Sequence, residues 1–110
     1  MTHVLFICSI NKLRSPTAAQ VFADYPGIET DSAGTNHGAQ VELCDEHILW
    51  ADLIFVMEPR HLQKLKRDFK SLLKHQKIIC LNIPDDFAFM DPALISLLTK
   101  KVTPHLKRLA

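Results

Sequence analysis

The stretch Val4-Leu-Phe-Ile-Cys8-Ser-Ile-Asn-Lys-Leu-Arg14-Ser15-Pro16 decides the fold of this 110-residue chain. The apolar run from His3 to Cys8 has no polar alternation and predicts a strand that is covered on both faces, as in a parallel sheet. Ser15 and Pro16 predict the cap and the first position of a helix, where a missing N–H costs nothing. A strand, a short loop and a helix start bring N–H groups together, which predicts an anion site between a cysteine and an arginine.

The rest of the chain alternates strands with helices. After the first helix, which ends near residue 23, we expect a strand over 28–33, a short helix over 41–50, a strand over 51–57, a helix from 58 to about 74, a strand over 77–83, and a last helix that begins at Asp91-Pro92 and that Pro104 kinks or splits. Connections this short favour right-handed crossovers. The pattern predicts an α/β protein, a three-layer sandwich around a four-stranded parallel sheet, with residues 1–110 in a single domain.

Composition narrows the function classes. The formal net charge is +1, and no apolar run approaches the roughly 18 residues of a membrane span, so neither nucleic acid nor membrane is an expected partner. The most basic segment, residues 60–77, is typical of the solvated face of a helix. Three cysteines, at positions 8, 44 and 80, fit neither a disulfide framework nor a zinc site and predict free thiols. With no signal-peptide pattern at the start, we expect a cytoplasmic protein.

Four segments, in chain order, resemble the low-molecular-weight protein tyrosine phosphatases. Cys8-x-x-Asn11-x-x-Arg14-Ser15-Pro16 resembles the signature loop of that family, and Asp31-Ser-Ala-Gly-Thr35 resembles its Ser-Ala-Gly-Thr segment. Ala51-Asp-Leu-Ile-Phe-Val-Met57 resembles its third strand, and Ile83-Pro-Asp85 resembles its aspartate-bearing loop. The resemblance covers nearly the whole chain and implies the phosphotyrosine protein phosphatase I-like fold.

The resemblance also implies an activity, phosphoric monoester hydrolysis by a protein-tyrosine-phosphatase-like enzyme. Cys8 would attack phosphorus and form a phosphocysteine intermediate, and N–H donors around the thiol favour the reactive thiolate. Arg14 would hold two phosphoryl oxygens with its planar fork. The implied phosphate-binding loop consists of Ser9, Ile10, Asn11, Lys12, Leu13, Arg14 and Ser15. In the family, hydrogen bonds among three side chains hold this loop, and they correspond here to Asn11, Ser15 and Ser32.

The general acid that protonates the leaving group corresponds to Asp85 or Asp86. The family has an Asp-Pro pair here, and Asp86 takes the place of the proline. The distance to the following helix favours Asp85. Phe87 or Phe89 is expected either to form an aromatic wall against a substrate ring or to pack in the core.

The chain departs from the family at three places around the loop. The family usually has glycine where this chain has Ile10, and often a second cysteine where it has Leu13. The family has a long helix and a further loop in the segment where this chain has only fifteen residues, between Thr35 and Ala51. That wall of the cleft must therefore be rebuilt or open; His37, His47 and Trp50 are available there, although surface or packing positions suit them better.

The expected substrate is a phosphorylated protein or a small aryl phosphate, and the product is inorganic phosphate. No metal or cofactor is expected, and a monomer is favoured. Two alternatives stay open. One is an arsenate reductase-like enzyme, which relays a disulfide through further cysteines; the other is a non-catalytic module that binds phosphate or a phosphopeptide.

Overall fold

Strands and helices alternate along the computed structural model, which describes residues 1–109. The elements are β1 Thr2–Cys8, α1 Arg14–Val21, β2 Ile28–Gly34, α2 Asp45–Trp50, β3 Leu53–Val56, α3 Pro59–Asp68, a 3₁₀ turn Lys70–Leu72, β4 Lys77–Cys80 and α4 Pro92–Lys107. All strand pairs are parallel, and the sheet order is β2-β1-β3-β4. This confirms the predicted α/β fold around a four-stranded parallel sheet.

Two apolar clusters, one on each face of the sheet, form the core. One contains Val4, Phe6 and Phe55 of the sheet with residues of α1 and α4. The other contains Leu5, Ile7 and Ile54 with residues of α2 and α3. Alternate β1 residues therefore enter opposite clusters, and residues 4–7 are fully buried. Burial on both faces is the physical reason for the uninterrupted apolar run of this strand.

The strand register brings four loops to one edge of the sheet. Cys8 at the end of β1 pairs with Gly34 at the end of β2. On the other side, Ile7 pairs with Val56, which in turn pairs with Cys80. Because parallel strands all end at the same edge, the segments after β1, β2, β3 and β4 meet there, where ligands of open α/β sheets bind.

Several predicted boundaries shift. α2 begins only at Asp45, because the residues before it pair with the end of β2: the Gly34 N–H donates to the Val41 carbonyl at 2.8 Å and the Leu43 N–H donates to the Gly34 carbonyl at 2.8 Å. The strands β3 and β4 are shorter than predicted. β4 ends at Cys80, although the Ile83 N–H still donates to the Met57 carbonyl at 2.8 Å, because Asn82 adopts a positive φ of 55°.

α4 confirms one prediction and rules out one of the two outcomes expected at Pro104. The Asp91 carboxylate accepts a hydrogen bond from the Ala93 N–H at 2.9 Å and caps the helix, as predicted. Pro104 does not split α4, which continues to Lys107. The buried residues Val102 and Leu106 on either side anchor this part of the helix, so packing offsets the lost backbone hydrogen bond. No helix among residues 1–109 is long and apolar enough to cross a membrane.

Candidate active site

The loop between β1 and α1 forms one side of a small cavity at the carboxyl edge of the sheet. The cavity has a volume of about 190 Å³ and is lined by Cys8, Ser9, Ile10, Leu13, Arg14, Asn36, Arg60 and Asp85. Cys8 is 3% exposed at the end of the central strand. The tertiary fold therefore gathers the predicted cysteine, arginine and first aspartate around one space that is large enough for a phosphoryl group.

The segment after β2 orients the backbone of this loop. The carbonyl oxygens of Cys8, Ser9 and Ile10 accept hydrogen bonds from the N–H groups of residues 35, 36 and 40 at 3.0, 2.9 and 2.9 Å. Among residues 1–109, no hydrogen bond is donated by the N–H groups of residues 10–13. With the carbonyl groups turned to the neighbouring segment, these N–H groups are available to an anion.

Gly34 makes this close contact possible. A methyl group at Gly34 would lie 2.6 Å from the carbonyl oxygen of Ser9 and 2.7 Å from the side chain of Ala39. Both distances are far shorter than a van der Waals contact, so only glycine lets the loop and the 35–40 segment approach the end of β2.

Asn11 and Ser15 hold the loop from inside. The Ser15 hydroxyl donates to Asn11 Oδ1 at 2.9 Å and lies 2.9 Å from Cys8 Sγ, and all three residues are buried. Asn11 adopts a φ of 56°, the left-handed conformation that asparagine tolerates better than most residues. The predicted Asn11–Ser15 contact is present.

Two expectations for this scaffold are corrected. Ser15 does not cap α1: the helix begins at Arg14, its capping position is Leu13, and no side chain caps it. Because the Ser15 hydroxyl is directed to Asn11 and Cys8, it cannot serve as the cap. Among the described residues, Ser32 makes no hydrogen bond to Asn11 or Ser15; it pairs with Phe6, two positions before Cys8 along the strand.

Arg14 is buried under the cavity with only 2% of its surface exposed. Its Nη1 donates to the Glu58 carboxylate at 2.6 Å and to the Ile83 carbonyl oxygen at 2.7 Å. Within residues 1–109, Nε and Nη2 have no hydrogen-bond partner, and Nε lies 3.7 Å from Asp85 Oδ1. Because a guanidinium carries five N–H donors, Nε and Nη2 keep theirs free for an anion in the cavity.

Glu58 is a site residue that the sequence interpretation missed. Its carboxylate accepts hydrogen bonds from Arg14 and, at 2.8 Å, from Arg60. Burial would raise the pKa of this carboxyl, but the bonds to Arg60 and Arg14 outweigh burial and lower the pKa to about 2. Glu58 therefore stays ionised and fixes the arginine. Its position directly after β3, at the functional edge of a parallel sheet, is the signal that could have revealed it.

His61, also missed, links α3 to the loop. Its Nδ1 accepts from the Glu58 N–H at 3.1 Å, so its Nε2 carries the proton and donates to the Ser9 hydroxyl at 2.8 Å. The imidazole is 1% exposed. Burial, together with the nearby charges of Arg14 and Arg60, lowers the pKa of His61 to about 4 and keeps the ring neutral.

The two candidate acids occupy different positions. Asp85 lines the cavity together with Cys8 and Arg14, with its side chain half exposed. Asp86 is exposed, does not line the cavity, and makes no side-chain hydrogen bond or ion pair within residues 1–109. The geometry distinguishes two residues that the sequence left as alternatives.

The cavity rim has no aromatic wall from Phe87 or Phe89, which was one of the two roles expected for them. Phe87 packs against the core, Phe89 is 48% exposed, and neither lines the cavity. Ile10, Leu13, Asn36 and Arg60 line it instead, and the last two were missed. His37 is exposed and Trp50 stacks on His3, with ring centroids 4.5 Å apart, so both occupy the surface or packing positions that were expected. Among residues 1–109, no group of three or more potential metal ligands is present.

Fold and site together define a class: an α/β protein that offers free N–H groups, a buried arginine and a nucleophilic side chain at the carboxyl edge of a parallel sheet. A comparison with family models found no match to the chain, and a comparison with curated proteins found none either. Solved structures do match. A low-molecular-weight protein tyrosine phosphatase from Streptococcus pyogenes is 19% identical over 100% of this chain and 94% of its own, with a TM-score of 0.81.

Two further structures agree. The tyrosine phosphatase Wzb from Escherichia coli K30 is 20% identical over 98% of both chains, with a TM-score of 0.80. The arginine phosphatase YwlE from Geobacillus stearothermophilus is 22% identical over 98% of this chain and 94% of its own, with a TM-score of 0.77. The chain has the fold of the low-molecular-weight protein tyrosine phosphatases, as the sequence resemblance implied.

Proposed function

We propose that this protein is a cysteine-dependent phosphomonoester hydrolase that acts on phosphotyrosine in proteins through a phosphocysteine intermediate. One observation carries the proposal: Cys8, Arg14 and the loop between them line one cavity of about 190 Å³, and within residues 1–109 the N–H groups of residues 10–13 and the Nε and Nη2 of Arg14 have no hydrogen-bond partner. The similarity of the fold to three phosphatases supports it.

In the first step, the N–H groups and Arg14 bind the phosphoryl oxygens, and the Cys8 thiolate attacks phosphorus. The P–S bond forms while the P–O bond to the tyrosine breaks. The carboxylic acid of Asp85 gives its proton to the departing phenolate. Arg14 and the N–H groups bind the equatorial oxygens of the transition state, where such donors contribute most.

In the second step, the Asp85 carboxylate takes a proton from water, whose oxygen attacks phosphorus. The P–S bond breaks, inorganic phosphate leaves, and the thiolate returns. The Ser15 hydroxyl lies 2.9 Å from Cys8 Sγ, so it can donate to the departing thiolate by turning its proton away from Asn11 Oδ1. Glu58 and the Ile83 carbonyl keep Arg14 in position through both steps.

Hydrolysis of p-nitrophenyl phosphate at mildly acidic pH tests the proposal. We expect the parent protein to release phosphate and Cys8→Ser to have no activity. When the reaction of the parent with a phosphotyrosine peptide is stopped with acid during turnover, phosphate should be found attached to the parent chain. Tight phosphopeptide binding without phosphate release would instead favour the non-catalytic module.

A second candidate is phosphoarginine hydrolysis, the activity named for the Geobacillus relative. One observation favours it: among residues 1–109, no aromatic side chain lines the cavity, so none of these rings is placed to stack on a substrate phenyl group. Paired peptides that carry phosphotyrosine or phosphoarginine at the same position separate the two candidates by their kcat/KM values.

The arsenate-reductase alternative receives less support from the geometry. Cys80 lies at the end of β4, in register with Val56 and, through it, with Ile7 of β1. Two strand spacings amount to about 10 Å, whereas a disulfide needs Cα atoms within about 7 Å. Cys80 therefore cannot reach the β1 cysteine without movement of the sheet, and Cys44 is exposed at the start of α2.

A further inference from the structure

The charge of this protein is divided unevenly along the chain. Seven of the thirteen lysines and arginines lie in residues 60–77, with only one of the twelve acidic residues. This segment has a formal charge of +6, and the rest of the chain has −5. A net charge of +1 thus conceals a strongly basic surface on an otherwise acidic protein.

The basic residues of α3 start at the candidate active site. Arg60, Lys64 and Arg67 are spaced i, i+4 and i+7, so they lie on one face of the helix. Leu65 is buried on the other. Arg60 lines the catalytic cavity, and Lys64 Nζ donates at 3.0 Å to the side chain of Asn36, which lines it too.

This face leads into a shallow groove of about 540 Å³. The groove is lined by Lys66, Arg67, Lys70, Leu73, Lys74, Gln76 and Ile78. Four cations therefore surround two half-buried apolar side chains. Arg67 pairs with Asp68 at 2.8 Å. Within residues 1–109, no carboxylate lies within 4.0 Å of the ammonium groups of Lys66, Lys70 and Lys74. These three positive charges are unpaired within the described residues, which favours binding of an anionic partner.

We propose that this surface, the basic groove formed by Lys66, Arg67, Lys70, Leu73, Lys74 and Ile78, binds an acidic segment of the phosphorylated protein substrate. The proposal rests on the phosphatase function proposed above. The positive charge of the groove favours an acidic partner, and Leu73 and Ile78 suit a peptide with interspersed apolar side chains. Because the basic residues continue from the groove to Arg60 at the cavity, the partner we infer is the same peptide whose phosphorylated residue enters the cavity.

The helix geometry sets the spacing within such a substrate. Arg60 and Arg67 are separated by seven residues, which is about 10 Å along a helix that rises 1.5 Å per residue. An extended peptide covers that distance in about three residues. Acidic side chains should therefore begin about three residues from the phosphorylated residue and continue for several more toward Lys70 and Lys74.

Matched phosphotyrosine peptides test the groove. In the first pair, one peptide carries four glutamates interspersed with leucine from the third residue after the phosphotyrosine, and the other carries glutamine in place of each glutamate. In the second pair, the same residues stand before the phosphotyrosine. We expect the parent to prefer one acidic peptide by about ten-fold in kcat/KM at low salt, and the preference to fall as salt rises. K66E/K70E/K74E should lose the preference and keep p-nitrophenyl phosphate turnover.

K100E/K107E/R108E is the matched control, because these three exposed cations lie at the other side of the sheet on or beside α4 and the change in net charge is the same. It should retain the peptide preference. Equal kcat/KM for the acidic and neutral peptides with the parent overturns the proposal. Loss of the peptide preference to the same extent in both triple variants also overturns the proposal. Binding of RNA or anionic vesicles by the groove, without a peptide preference, overturns it too.

Failure of the phosphatase function would be visible separately, as absent turnover of p-nitrophenyl phosphate by the parent. In that case, the fluorescence anisotropy of the labelled, unphosphorylated acidic peptide measures whether the groove binds an acidic segment. Binding that the groove variant loses and the control retains supports the groove, and no binding by the parent overturns it.

Discussion

The Arg14 guanidinium donates a hydrogen bond to the Ile83 carbonyl oxygen over 2.7 Å, and so joins the cysteine loop to the loop that carries Asp85. The same nitrogen donates to Glu58 at the end of β3. Three strand ends are thereby tied to one side chain, and the proposed nucleophile and the candidate acid receive their positions from a common anchor.

Replacement of Arg14 by lysine tests this anchor. A lysine keeps the charge but lacks the fork that binds Glu58, Ile83 and a phosphoryl group together. We expect kcat for p-nitrophenyl phosphate to fall by roughly 10²–10³, the usual effect of losing a transition-state donor. Circular dichroism and urea unfolding of the same variant should show a folded protein; turnover within two-fold of the parent would contradict the assigned role.

The two aspartates have different expected roles. Asp85→Asn should lower kcat by about 10²–10⁴ for a phosphate ester with a poor leaving group, because that group needs a proton. The loss should shrink for an ester of a more acidic phenol. Asp86→Asn is the matched control and should stay near the parent rate. The reverse ranking of the two variants would move the acid to Asp86.

His61 should stabilise the loop through its two hydrogen bonds. His61→Ala leaves the Glu58 N–H and the Ser9 hydroxyl without their partner in a buried place, which costs about 1–3 kcal/mol of unfolding free energy. His61→Gln can restore a donor near the Ser9 hydroxyl, and His61→Asn can restore an acceptor near the Glu58 N–H. Urea unfolding measures the stability of each variant, and p-nitrophenyl phosphate kinetics measure its activity. We expect glutamine to recover more activity and asparagine more stability; no recovery in either would exclude this arrangement.

The lowered pKa of His61 predicts how stability depends on pH. Between pH 6.5 and about pH 4, the unfolded chain binds a proton at this position and the folded protein does not. The free energy of unfolding should therefore fall as the pH falls through this range, by at most about 1.4 kcal/mol per pH unit from this residue. Below pH 4.5, protonation of Glu58 in the unfolded chain, against a folded pKa of about 2, adds to the loss.

Urea unfolding at pH 7, 5.5 and 4.5 measures this dependence. The informative quantity is the difference between the parent and His61→Gln, because contributions that the two proteins share cancel in that difference. The variant should lose less stability on acidification. Identical slopes for the two proteins would show that His61 is not held neutral.

Some features of the fold and of the site could be predicted because they depend on residues that are close together in the sequence. The apolar run of β1, the Asp91 cap and the alternation of strands and helices follow from local periodicity and turn chemistry, which act over a few residues. The loop from Cys8 to Arg14 is likewise a local pattern. For these features, the residues that make the structure are neighbours in the chain.

Other features depend on residues that are distant in sequence. The choice between Asp85 and Asp86, the contact of Arg14 with Glu58, and the contact of Ser9 with His61 all join segments that are 44 or more residues apart. No periodicity encodes such pairs, because parallel strands bring their ends together only once the sheet has formed. The failed Ser15 cap has a different and local cause, since the Ser15 hydroxyl contacts Asn11 and Cys8 in its own loop and cannot also cap the helix.

By itself, the sequence determined the α/β class, the parallel sheet and the loop that carries Cys8 and Arg14, since local patterns and hydrophobic periodicity suffice for these. Only the tertiary structure decided which aspartate faces the cavity, that Glu58 and His61 hold the loop, and that Asn36 and Arg60 line the cavity where Phe87 and Phe89 do not. Register across β1, β2, β3 and β4 sets those distances, and register arises from packing of the whole sheet.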